Sequence, residues 1–345
     1  MSNTESSRSW RVGLVGSGGI AHAHANACEQ LDNVDLAAIC DVSEEALQQF
    51  GRRDGDHFTV GERYLDLDKM LDEAALDIAV ITNWGSQHAK TGIALAKSGQ
   101  VKGILCEKPL TMNAAEAEAM VAVSQESGVL LAEAFKFRHH PMHIRAQQMI
   151  DAGAIGEVMT LRSTFCTGGG GTGPEARPPE SNWRFNKAKG GGSIFDLACY
   201  NIHHARFVFG AEPVRVFAAP QAGVEVDDAA FILLVFPDEK TAQISVGFNC
   251  AGGQYAEISG RGGMLRLDSV WNNENRPVNI VHTSPKGVET IDFPSTFQFA
   301  LQLEHMVDCL ANGTPHRIPP ENSIAQMRLI DAIYESMGSG KAVEL

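Results

Sequence analysis

The apolar run Val12-Gly13-Leu14-Val15, entering Gly16-Ser17-Gly18-Gly19-Ile20-Ala21 without a break, constrains this chain more than any other stretch. It reads as a buried strand feeding a turn of the form G-x-G-x-x-A and then a helix. The first glycine permits the tight turn, the second lets backbone approach a pyrophosphate, and the final small residue lets the helix pack closely on its strand. Free N–H groups of the first helical turn then face the phosphates. Gly16, Ser17, Gly18, Gly19 and Ile20 are therefore candidate dinucleotide contacts. A second apolar stretch, residues 35–40, ends in Asp41, an acid placed to bind both ribose hydroxyls and to repel a 2'-phosphate. That favours NAD and leaves NADP open. Asp41 is also suited to cap a helix starting near Ser43.

The strand–helix alternation continues. Residues 58–60 read as a brief strand, 65–71 as a short helix, and 77–82 as another buried strand that delivers Thr82, with Asn83 and Trp84 following. Ser86 can cap a helix running to about residue 98, with His88 in its first turn. The next apolar run, Val101-Lys102-Gly103-Ile104-Leu105-Cys106, stops at Glu107-Lys108-Pro109. A central strand cannot continue through proline, which lacks the ladder donor and restricts the residue before it. Glu107 and Lys108 thus stand at a strand's carboxyl end, the edge where open α/β sheets bind ligands. Asn113 and Glu116 suggest a capping box for a helix to about residue 127, and residues 129–135 close the series. Such alternation implies a parallel, doubly wound sheet.

The G-x-G-x-x-A turn, then Thr82-Asn83 with His88, then Glu107-Lys108-Pro109, in that order and at these separations, resembles the family of glucose-fructose oxidoreductase, inositol dehydrogenase and their relatives. The likeness spans nearly the whole chain. It implies an amino-terminal NAD(P)-binding Rossmann domain, residues 1–136, and a carboxyl-terminal α+β domain, residues 137–345, built on a large open and mostly antiparallel sheet. It also implies Lys108 at the reacting centre, often before a cis proline, and a Trp183-Arg184 pair reaching toward the nicotinamide half of the cofactor. Many relatives carry histidine where this chain has Tyr200, with aspartate four residues earlier as at Asp196. Tyrosine there resembles the branch containing glucose-fructose oxidoreductase, xylose dehydrogenases and dimeric dihydrodiol dehydrogenase.

In the second half, Pro141 can open a helix to about residue 152, and residues 157–166 begin the second domain. His139, His140 and His143 cluster without an evident carboxylate partner, so they read as packing residues and not a metal site. A glycine- and proline-rich loop spans 168–179. Residues 193–209 read as a helix with Asp196 and Tyr200 on one face, and His204 close to that face as a candidate substrate contact. Strands without helices between them follow at 214–218, 229–236, 241–250, 255–259 and 264–267, then helices near 295–310 and 321–336. An open sheet with one face uncovered would expose apolar residues, so a homodimer or homotetramer through that sheet is expected.

Composition narrows the partners. A net charge of -14 disfavours nucleic acid and anionic membrane surfaces, and no run approaches the length of a membrane span. The polar start of the chain lacks a signal-peptide core, which makes cytoplasm the default. Seven cysteines without a Cys-x-x-Cys pair read as reduced residues. Oxidising an alcohol needs a hydride acceptor and a group that takes the hydroxyl proton. Tyr200 is the candidate base. A free phenol, with an ordinary pKa of about 10, is a poor base near neutrality. An ammonium about 4 Å away contributes on the order of 4 kcal/mol toward its ionised form, and Lys108 would supply that charge. Lys108, Asp196, Tyr200 and His204 are the substrate candidates, and a sugar or polyol is the expected substrate. The reaction can run in either direction. Two alternatives remain open at the sequence level: an oxidoreductase that retains its cofactor through the cycle, and a regulator that binds NAD(H) without turnover.

Overall fold

The structure, a computed structural model, describes residues 9–168 and 178–345. Most of the expected loop at 168–179 therefore lies outside the described residues. The chain forms two compact units, and they are not the contiguous pieces 1–136 and 137–345. The tail segment Phe299–Ser323 belongs to the first unit, and Ile324–Leu345 to the second.

The first unit holds a six-stranded parallel sheet of β1 (Trp10–Val15), β2 (Val34–Cys40), β3 (Glu62–Tyr64), β4 (Ile78–Ile81), β5 (Gly103–Cys106) and β6 (Leu130–Glu133). Their spatial order is β3-β2-β1-β4-β5-β6. Sheet order reverses between β1 and β4, and the carboxyl ends of strands at such a switch point form the ligand crevice. Helices α1 (Gly19–Glu29), α2 (Glu44–Gln49), α3 (Leu67–Ala74), α4 (His88–Ser98) and α5 (Ala114–Glu126) lie in the connections. Their starts follow local chemistry. Ser43 accepts from Ala46 N to cap α2, and Asp66 accepts from Lys69 N to cap α3. β4 and β5 are buried along their whole length, as strands covered on both faces must be. One expected strand is corrected: residues 58–60 join no ladder. Phe58 packs its ring 5.2 Å from Phe50 and 6.0 Å from His22, and pairing with β2 passes to the more polar Glu62–Tyr64.

The second unit is built on a nine-stranded sheet, in the order β14-β13-β12-β11-β7-β10-β9-β8-β15. Its strands are β7 (Val158–Thr167), β8 (Arg215–Ala222), β9 (Asp227–Val235), β10 (Thr241–Gly247), β11 (Ala251–Gly260), β12 (Met264–Asp268), β13 (Val278–Ser284), β14 (Gly287–Phe293) and β15 (Val343–Glu344). Every pairing is antiparallel except β7 with β10. Three of these strands, β13, β14 and β15, were not foreseen from the sequence. Helix α6 (Pro141–Asp151) and the segment leading into α7 (Cys199–Phe209) pack on the sheet; all of α8 (Gln298–Asn312) but its first residue belongs to the first unit, and most of α9 (Pro320–Ser339), which precedes β15, to the second. From Ala230 onward β9 alternates: Ala230, Ile232 and Leu234 are buried, while Phe231 is 62% exposed and Leu233 37%. With Phe217 at 41%, these side chains form an apolar patch with Ala219, Gln243 and Tyr255 on the open face. Among the described residues, no helix is long and apolar enough to cross a membrane.

The inner face closes over an aromatic and imidazole core. Phe137, Trp271, His143 and His204 meet edge to face or stacked, with His204 5.4 Å from Trp271 and 5.2 Å from His143. His203 Nε2 accepts from Arg138 Nη1 at 2.9 Å, which requires a neutral ring. Burial, followed by the Arg138 charge, pushes His204 down to about 3 and His203 well below the usual imidazole range. Burial likewise lowers His143. Folding thus lowers all three, so the unfolded chain binds more protons once pH drops below about 6.5. Stability is full above that value and is lost progressively as the medium is acidified toward the folded-state values. We expect the urea midpoint of the second unit to fall between about pH 6.5 and 5, with up to about 4 kcal/mol lost per pH unit from three such groups. A midpoint flat across that window would contradict the buried, neutral cluster.

Candidate active site

In the first unit the crevice at the β1–β4 switch point is shaped by Gly16. Its φ is +106°, and a Cβ there would lie 2.5 Å from Asn83 N, so only glycine fits where β1 turns against β4. Gly18 precedes α1, and nothing stands within 4 Å of where its Cβ would be. An open glycine cradle at a helix amino terminus fits a pyrophosphate. Asp41, at the end of β2, is held from both sides. Oδ2 accepts from Ser17 N and Ser17 Oγ at 2.7 Å each, and Oδ1 accepts from Ser43 N at 2.9 Å. The cap of α2 is Ser43 and not Asp41, which instead holds the Ser43 N–H just ahead of the helix. Thr82 Oγ1 donates to Gly16 O at 2.8 Å and locks the turn to β4. Ile20 is 37% exposed beside the cradle.

Beyond β5 the chain builds a second feature. Glu107 is buried, and His24 Nε2 lies 2.8 Å from its Oε1. Burial alone would push the Glu107 carboxyl up, but the His24 hydrogen bond and charge, with the Lys108 charge, outweigh it and leave it below the usual carboxylate range. Lys108 N donates to Glu107 Oε2 at 3.3 Å, and the Lys108–Pro109 peptide is cis. Leu110 N donates to Glu133 Oε1 at 2.8 Å. His88 is a strut between these two edges. Its Nδ1 lies 3.0 Å from Pro109 O and its Nε2 3.2 Å from Asn83 O, and burial lowers its pKa. A neutral ring donates from one nitrogen only, so it hydrogen-bonds one of these two carbonyls at a time. His88 thus stands between the turn backbones that follow β4 and β5. Asn83 Nδ2 donates to Thr91 Oγ1 at 2.9 Å.

The second unit carries the other half of the candidate set. Ile194–Ala198 is one π-helical turn leading directly into α7, so Asp196 and Tyr200 lie across a widened turn and not along a regular helix face. Such turns concentrate at functional sites. Asp196 Oδ2 accepts from Arg184 Nε at 2.7 Å, and the Arg184 guanidinium lies 4.9 Å from the centre of the Trp183 ring. The glycines at 191 and 192 allow this approach. A Cβ on Gly191 would stand 2.6 Å from Trp183 O, and Gly192 N donates to Arg184 O at 2.8 Å. Tyr200 is 6% exposed, its ring 5.7 Å from Trp271 and 5.8 Å from Phe165. His204 is 1% exposed, its ring packed among Phe137, Trp271 and His143.

Sequence reasoning missed the residues that hold this geometry. Asp227 Oδ2, at the start of β9, accepts from Ser193 Oγ at 2.6 Å and Ile194 N at 2.8 Å, and its Oδ1 accepts from Tyr334 OH at 3.0 Å. This carboxylate caps the π turn from a strand and from α9 at once. Burial raises the Asp227 carboxyl above its usual range despite three donors. His24 was also missed. Its signal was its place on α1, one turn past the cradle, where a buried histidine needs a partner.

A parallel sheet with a glycine cradle, an acid at the end of its second strand and a separate sheet domain are together the parts of a nicotinamide-dependent oxidoreductase. A family model described as an oxidoreductase family with an NAD-binding Rossmann fold matches residues 10–135, and one described as the GFO/IDH/MocA C-terminal domain matches residues 143–266. The chain belongs to the GFO/IDH/MocA family of oxidoreductases. D-xylose 1-dehydrogenase (NADP(+)) 2 of Haloferax volcanii is 28% identical over 96% of this chain and 99% of its own length. Among solved structures, aldose-aldose oxidoreductase from Caulobacter crescentus, complexed with glycerol, matches with a TM-score of 0.85 at 26% identity, covering 98% of this chain and all of that one. A 3-ketoreductase from Actinomadura kijaniata, in complex with NADP and TDP-benzene, matches with a TM-score of 0.83 at 27% identity over 95% of this chain and 98% of that one.

Proposed function

We propose that the chain is an NAD-dependent oxidoreductase of a sugar or polyol, in which Tyr200 moves the hydroxyl proton and Lys108 supplies the charge that makes a phenol an effective base. The observation that carries the reading is the buried Glu107 carboxylate, fixed by His24, immediately before Lys108 at the carboxyl edge of the parallel sheet. Further support comes from relatives named for sugar and polyol substrates, among them the xylose dehydrogenase and a myo-inositol 2-dehydrogenase of Thermotoga maritima. A bound nicotinamide supplies the hydride acceptor or donor. Gly16, Ser17, Gly18, Gly19 and Ile20 would hold its pyrophosphate end, and Asp41 its adenosine ribose. Thr82, Asn83, Glu107, Lys108, Trp183 and Arg184 are proposed to line the rest.

In the oxidation direction Tyr200 Oη takes the proton from the reacting hydroxyl, and in reduction it returns one to the carbonyl oxygen. The Lys108 ammonium favours the ionised phenol by charge. Asp196, oriented by Arg184, accepts a hydrogen bond from a neighbouring substrate hydroxyl. We expect Lys108→Ala and Tyr200→Phe each to lower kcat at least about a hundredfold on whichever sugar the native protein turns over, because acid-base groups contribute at least that much. Turnover within about tenfold of native in either variant would remove that residue from the chemistry.

Cofactor choice is assigned to Asp41, whose charge repels a 2'-phosphate. Replacing Asp41 with alanine removes both the repulsion and the ribose acceptor. The ratio of kcat/KM for NAD to that for NADP should drop at least about tenfold, the size of one charge-assisted hydrogen bond. An unchanged ratio would contradict the assignment.

The exposed Phe217, Phe231 and Leu233 on one sheet face support pairing of two copies through that face. Light scattering on the purified protein should report a dimer or tetramer at micromolar concentration, and Phe231→Glu should shift it toward monomer. A monomeric native protein would refute the pairing.

A further inference from the structure

Two of the cysteines meet where strands of the second unit end. Cys166 is the penultimate residue of β7, and Cys250 closes the three-residue link between β10 and β11, the two strands that flank β7 in the sheet. Cys166 aligns with Gly247 on one side and Gly253 on the other, so the link passes over the end of β7. The two sulfurs stand 3.0 Å apart. Glycines clear the space for them. A Cβ on Gly247 would lie 2.9 Å from Cys250 Sγ, and one on Gly252 would lie 3.2 Å from Cys166 Cβ. Cys250 is half-buried and reachable, while the other six thiols, Cys166 included, are buried.

We propose that Cys166 and Cys250 are a thiol modification site: a hydroperoxide converts them to one intramolecular disulfide, and small thiols reverse it. The Cys250 thiolate attacks the peroxide oxygen, an S–O bond forms, the O–O bond breaks, and water or an alcohol leaves with a proton. Cys166 Sγ then attacks the Cys250 sulfenic sulfur, the S–S bond forms, the S–O bond breaks, and water leaves with the Cys166 proton. The two thiols lose two electrons and two protons, and the hydroperoxide takes them up. Reaching the bonded separation of about 2.05 Å needs a sulfur movement of about 1 Å. The disulfide fastens a link whose Phe248 packs 5.2 Å from Phe185, the residue after Arg184. Burial pushes the Cys250 thiol up to about 11, so the reaction is slow at neutrality and accelerates with alkalinity.

The test uses the reduced full-length protein, treated with hydrogen peroxide at several pH values, blocked with iodoacetamide and mapped by mass spectrometry without reductant. We expect a peptide pair joining Cys166 to Cys250, lost on adding dithiothreitol, absent in Cys166→Ser and in Cys250→Ser, and forming about tenfold faster per pH unit below the Cys250 value. Three results would overturn the assignment: Cys250 accumulating as sulfinic acid beside a free Cys166, a bridge between two copies, or both thiols unchanged under peroxide. Mapping of the native protein decides the matter even if a serine variant folds poorly.

Discussion

Carboxylates withdrawn wholly or partly from water at strand ends are the constraint on which this structure depends. A buried carboxylate is costly unless donors surround it. Half-buried Asp41 has the Ser17 N–H and hydroxyl, buried Glu107 has His24, and buried Asp227 has Ser193, Ile194 and Tyr334. Each set of donors comes from a different element, so satisfying the carboxylate also fixes the backbone around it. Removing one donor leaves a charge without its compensation, which explains why His24 and Tyr334 matter although neither belongs to a recognisable motif.

The same logic accounts for the local irregularities. The π turn at Ile194–Ala198 widens the start of α7, and Asp227 holds that widened turn open from β9. The Gly190-Gly191-Gly192 run brings the carbonyls of Trp183 and Arg184 against the turn, where Arg184 meets Asp196. On the other side of the helix the histidines are kept neutral by burial and by Arg138, so they contribute packing without charge. Charge is admitted where donors wait for it and refused elsewhere.

Much of this was legible in the chain. Buried parallel strands are continuous apolar runs, so β1, β2, β4 and β5 were read to within a few residues, and the glycine turn announced the crevice. The polar strands were not. β14 carries Glu289, Thr290 and Asp292 at the sheet edge, and β3 is Glu62-Arg63-Tyr64, so neither shows the apolar alternation that marks a half-buried strand. Phe58 misled for the opposite reason, being apolar yet committed to a ring cluster. The π turn was invisible because residue spacing was judged on a regular helix. Asp227 and Tyr334 are 107 residues apart, and nothing local to either announces the other. The packing of the His204 ring among Trp271, Phe137 and His143 was not readable from its spacing.

The account turns on whether the lysine after β5 and the tyrosine of α7 serve one reacting centre. The most direct measurement is a crystal structure of the protein with reduced nicotinamide cofactor and a sugar bound. The account predicts Lys108 Nζ within about 4 Å of Tyr200 Oη, the range in which an ammonium stabilises a phenolate by several kcal/mol, with both groups against the same substrate oxygen. A separation beyond about 8 Å, where screening removes most of that interaction, or side chains facing different cavities, would contradict it.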